Sequence, residues 1–107
     1  MSEEFEQVTR MSDLRQGEAT AFMLANGDEV LLIRVREEVF AVQPTCTHRE
    51  TWLDMGTVLP GSLEIQCPLH EGRFDLRTGE PTNPPVTEPL KTYAVRVADG
   101  AVLVSSG

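Results

Sequence analysis

The sequence predicts an all-β domain built from antiparallel sheets, and three observations carry that expectation. Runs of strand-forming residues recur at short intervals, and Asn26-Gly27-Asp28 and Asp99-Gly100 mark tight hairpin turns between such runs. Only residues 12–16 can make a turn of helix, with Ser12 as its cap. A chain of 107 residues is one domain, large enough to bury about 60–65% of the surface of its unfolded state.

Taken in order, strands are expected over 20–25 and 29–36 (EVLLIRVR), on either side of the first turn signal. A polar break then leads to a strand over 38–42 (EVFAV). Residues 63–66 lead into Cys67, and 73–76 leave the same loop, stopped by Arg77-Thr78-Gly79. The run 92–97 alternates, Asp99-Gly100 turns, and 101–104 returns. Repeats and low-complexity stretches are absent from the sequence.

Apolar residues make up 40% of the chain, enough for a core without disulfides, and the formal net charge is −8. That acidity argues against nucleic acid, whose phosphates would be repelled; it suits docking onto basic patches of protein partners, or simply keeps a small protein in solution. No basic segment followed by an apolar run opens the sequence, and no stretch approaches the ~20 apolar residues of a membrane helix. A cytoplasmic protein without a membrane partner is therefore expected. No catalytic triad, phosphate-cradling glycine loop or acid/base carboxylate pair can be assembled. Catalytic residues are accordingly expected to be none.

The chemistry lies in Cys46-Thr47-His48 and Cys67-Pro68-Leu69-His70, which hold every cysteine and histidine of the chain. Eighteen residues separate His48 from Cys67. The pattern reads as one four-ligand metal site made by two loops, each giving one thiolate and one imidazole. Such a set suits tetrahedral zinc, or a [2Fe–2S] centre in which imidazoles replace the thiolates on one iron. Zinc fingers usually give both cysteines first and both histidines later. Cys-then-His in each loop instead lets both cysteines reach one iron and both histidines the other.

On these residues the chain resembles the Rieske iron–sulfur proteins. Cys46-x-His48 and Cys67-Pro68-x-His70-x-Gly72-x-Phe74 look like their two cluster-binding motifs, and residues 82–93 like their proline-rich third loop and following strand. The similarity is to the free-standing Rieske ferredoxins of bacterial aromatic-ring dioxygenase systems. It implies a base of antiparallel sheets (about 1–43 and 86–107) with an inserted cluster-binding subdomain (about 44–85). It also implies one [2Fe–2S] cluster, with Cys46 and Cys67 on the inner iron and His48 and His70 on the outer. The partners implied are a flavin-dependent reductase that donates electrons and a terminal oxygenase that receives them. An oxygenase subunit would need a further iron site, and no histidine remains to build it. The small Rieske-like subunit of a nitrite reductase and a zinc-binding interaction module are the alternatives.

Replacing two thiolates by neutral imidazoles makes reduction easier, so Rieske centres span about −150 to +300 mV against about −400 mV for plant-type ferredoxins. High-potential relatives carry an additional cysteine in each motif and donate a serine and a tyrosine hydroxyl to the cluster sulfurs. Leu69, Gly72 and Phe74 occupy the corresponding positions here, which implies a potential at the low end, about −150 mV. Pro68 stiffens the second loop, Gly72 allows a close approach, and Pro84-Pro85 is expected either to cover the cluster or to be an ordinary loop signal. Trp52 is expected in the core, shielding the cluster or contacting a partner. Glu50, if it points inward, would lower the potential.

Overall fold

The structure is a computed structural model that describes residues 5–47, 52–68, 72–84 and 86–105. Its elements are β1 (Glu6–Arg10), β2 (Ala19–Met23), β3 (Glu29–Val35), β4 (Glu38–Val42), β5 (Thr57–Leu59), β6 (Glu64–Gln66), β7 (Arg73–Asp75), β8 (Pro81–Asn83), β9 (Thr92–Ala98) and β10 (Ala101–Ser105). Two single-turn 3₁₀ segments accompany them, Met11–Asp13 and Leu53–Met55. Six strands form one antiparallel sheet in the order β1-β10-β9-β4-β3-β2. The other four form a meander, β5-β6-β7-β8.

Hairpin chemistry sets the registers. Gly27 takes the left-handed conformation (φ +93°) between β2 and β3, and the Asp28 amide donates to Asn26 Oδ1 at 2.9 Å. Between β9 and β10 both Asp99 and Gly100 have positive φ, as a two-residue type I′ turn requires. Residues β-branched or aliphatic on both faces make β3 a fully interior strand. Leu31, Ile33 and Val35 enter one core, and Val30 and Leu32 enter another. The neighbouring β4 divides likewise, with Val42 on one side and Val39 and Ala41 on the other.

The first core lies between the two sheets, joining Leu31, Ile33 and Val42 to Ile65 and Phe74. The second lies within the curl of the six-stranded sheet, where Leu14, Leu24, Val102 and Val104 close over β3 and β4. The join of β4 to β9 is short, only Ala41↔Tyr93 and Val42↔Thr92.

The expected helical turn at 12–16 is a 3₁₀ turn at Met11–Asp13 instead, without a side-chain cap. Its carbonyl end is held by Arg34, whose Nη1 donates to the Met11 and Leu14 carbonyls. Strands β1, β5 and β8 are additions to the sequence expectation. The latter two have three residues each and take their extended form from pairing with β6 and β7.

Candidate metal centre

The first loop begins where β4 ends. Gln43 fixes this point three times: its amide donates to the Lys91 carbonyl (2.8 Å), its Oε1 accepts from the Lys91 amide (2.7 Å), and its Nε2 donates to the Thr45 carbonyl (2.9 Å). An antiparallel bridge between Thr45 and Trp52 closes the loop. The Leu53 amide then donates to the Pro44 carbonyl at 2.8 Å. Behind it Gly56 packs so closely that a Cβ there would collide with the Gln66 carbonyl oxygen. This contact joins the base of the first loop to the base of the second.

The second loop is the tip of the β6–β7 hairpin. Gln66 pairs with Arg73, and the Cys67 amide donates to the Gly72 carbonyl at 2.9 Å. A third segment lies across the first: Thr47 Oγ1 donates to the Glu88 carbonyl at 2.8 Å, and the Leu90 amide donates to the Gly79 carbonyl at 2.8 Å. Val86 and Leu90 of that segment are buried in the inter-sheet core. Gly79 has φ +79°, and its missing Cβ leaves room for the Leu90 carbonyl.

The structure brings Cys46 and Cys67 into one buried cluster, 4% and 2% exposed, with Leu53, Ile65 and Phe74 around them. Both are thiols rather than halves of a disulfide. His48 and His70, two and three residues further along the same loops, lie outside the described residues, as do Arg49, Glu50, Leu69 and Pro85. Among the described residues, no three or more His, Cys, Asp or Glu side chains converge on one point. Phe74 is fully buried and offers no hydroxyl. Trp52 is 47% exposed, which overturns the core-packing expectation for it.

On the outer face of the meander the Thr82 and Ser62 hydroxyls lower the Glu64 pKa. Hydrogen bonds from Arg77 lower that of Asp75, with Arg77 Nη2 at 3.1 Å from Oδ2. Arg73 Nε is buried there without a hydrogen-bond partner. Sequence reading missed Gln43, Thr47 and Gly56. Their partners lie far off in the chain, so no local pattern marked them.

Two buried thiols at the bases of two pinned loops define a class, a β-sheet protein with a two-loop pair of cysteines in one core. The chain belongs to the Rieske [2Fe-2S] domain family, which matches residues 4–94. It is 39% identical over 87 residues to the anthranilate 1,2-dioxygenase ferredoxin subunit of Burkholderia cepacia, covering 81% of this chain and 79% of that one. The ferredoxin of carbazole 1,9a-dioxygenase from Nocardioides aromaticivorans IC177 superposes with a TM-score of 0.91 at 43% identity, covering 96% and 98%. A structure described as the complex of reduced oxygenase and oxidized ferredoxin in carbazole 1,9a-dioxygenase matches with a TM-score of 0.82 at 34% identity, over 92% and 99%. The family's cofactor is a [2Fe–2S] cluster, and two thiols buried in one cluster fit the thiolate half of the donor set it requires.

Proposed function

We propose that this chain is a one-electron carrier. It takes electrons from a flavin-dependent reductase and delivers them to the terminal oxygenase of an aromatic-ring dioxygenase system. In this reading Cys46 and Cys67 hold the inner iron as thiolates, and His48 and His70 hold the outer iron by imidazole nitrogen. When bound, the cluster supplies reversible one-electron transfer. The chain's own residues hold it: Gln43 and the Thr45–Trp52 bridge fix the first loop, the Cys67–Gly72 bond fixes the second, and Thr47 ties the third segment down. The single observation that carries the reading is the burial of both thiols in one core at the ends of two such loops.

The names of the relatives support the role, since those above 30% identity are ferredoxin components rather than catalytic subunits. The whole is read as one Rieske domain, base 1–43 and 86–107, cluster-binding part 44–85. Among the described residues no helix is long and apolar enough to cross a membrane; a cytoplasmic location belongs to the proposal. Without a hydroxyl at Phe74, the potential is placed at about −150 mV.

Reconstitution tests the carrier role. Reductase and oxygenase from the host, mixed with substrate, are expected to turn over only when this protein is added. Turnover of equal rate in its absence would defeat the reading. His48→Ala is expected to lose the reduced-state spectrum of an imidazole-ligated cluster, and its retention would remove His48 from the ligand set. Zinc in place of iron and sulfide on elemental analysis would return the chain to the binding-module alternative.

A further inference from the structure

Four large apolar side chains are exposed among the described residues, and three of them gather at one end of the molecule. Trp52 is 47% exposed, Met55 75% and Met23 67%; Val97, the fourth, stands on β9. The registers place the first three together. Val42 pairs with Leu31, which pairs with Ala21, so the end of β4 that opens into the first cysteine loop lies beside the end of β2 that carries Met23. The Leu53 amide is bonded to Pro44 at that end, and the 3₁₀ turn Leu53–Met55 lies against β2. Leu53 is the fully buried anchor of this turn, so Trp52 and Met55 are held outward on a fixed support.

The surround is acidic. Glu29 pairs with Met23, Asp54 sits between Leu53 and Met55, and both are exposed. Neither 19–30 nor 52–60 contains a lysine or arginine. A rigid aromatic with flexible thioethers inside a polar rim matches the make-up of protein interfaces, where Trp and Met are enriched.

We propose that Trp52, Met55 and Met23 form a docking patch that seats in an apolar socket with a basic rim on the terminal oxygenase. The inference rests on the carrier reading and adds to it which residues recognise the acceptor. Charge complementarity argues for a basic rim. Continuity with the first cysteine loop argues for an electron acceptor, because docking here brings the metal centre close to the partner. A relative of 34% identity is known in complex with an oxygenase.

The test uses the cluster-loaded protein and the oxygenase that passes the reconstitution experiment. Oxygenase reduction is followed against ferredoxin concentration for wild type, Met23→Ser, Met55→Ser, their double variant and Val97→Ser. The double variant is expected to raise KM about tenfold with kcat, absorption spectrum and midpoint potential unchanged. Val97→Ser is expected to match wild type. Because the chain has a single tryptophan, 5-fluorotryptophan labelling gives one ¹⁹F resonance, which should shift when oxygenase is added. An unchanged KM in the double variant overturns the proposal, as does a rise seen only with the reductase. If wild type itself fails to reduce any oxygenase, it is the carrier reading that fails, which these variants leave distinguishable.

Discussion

Gly56 shows how much of the site depends on a single absent atom. Its backbone lies against the Gln66 carbonyl, one residue before Cys67, and the obstacle to a side chain there is backbone that cannot swing aside. Gly56→Ala is expected to cost about 1–3 kcal/mol, measured as a lower denaturation midpoint together with weaker retention of iron. Nothing in the sequence distinguishes this glycine from the others, since its constraint is a contact ten residues away rather than a turn. The pairing of Cys46 with Cys67 in one core, by contrast, was legible because the chain has two cysteines, each at the head of a short Cys-then-His motif. The residues that place the loops were not. Gln43 and Thr47 are ordinary polar side chains whose bonds reach Lys91 and Glu88.

Among elements, legibility followed the turn. The strand expected at 38–42 has those bounds, and β3 differs from expectation by one residue, because Arg36 adopts φ +56° and ends the ladder. The three-residue strands β5 and β8 carry too little pattern to be read, and are extended because β6 and β7 supply partners. The β7–β8 turn supports a prediction of pH dependence. Asp75 has its pKa lowered by hydrogen bonds from Arg77, so its contribution is complete above the ordinary aspartate value of 3.8 and is lost as pH falls through the lower folded value. Asp75→Asn keeps the acceptor for the Arg77 amide and removes the charge together with the Oδ2 acceptor of Arg77 Nη2. It should be about 0.5 kcal/mol less stable than wild type at neutral pH. In urea titrations repeated below the aspartate range, that gap should close.

At the scale of the whole molecule, two cores give two stabilities. The inter-sheet core includes both cysteines, whereas the core inside the six-stranded curl includes neither. A Cys67→Ser variant, which on the proposed ligand assignment cannot hold the cluster, is expected to lose amide-exchange protection at Ile65 and Phe74 while Val30, Leu32 and Val102 keep theirs. Hydrogen exchange read by NMR checks this, and equal loss at both groups would mean the cores melt as one. Phe74 and its neighbours contribute on the order of 1.5–3 kcal/mol each by burial, which holds the meander near the base.

The brevity of the β4–β9 ladder has a consequence for the protein's lifetime. Two residue pairs, the Gln43–Lys91 clasp and the packing of Tyr93 and Val95 against the core of Val39 and Ala41 sew this seam, and the first cysteine loop springs from its upper end. Breathing along the seam loosens that thiolate's mooring in the same event. Ageing of the stored protein is therefore expected to show as bleaching and sheet opening on one clock.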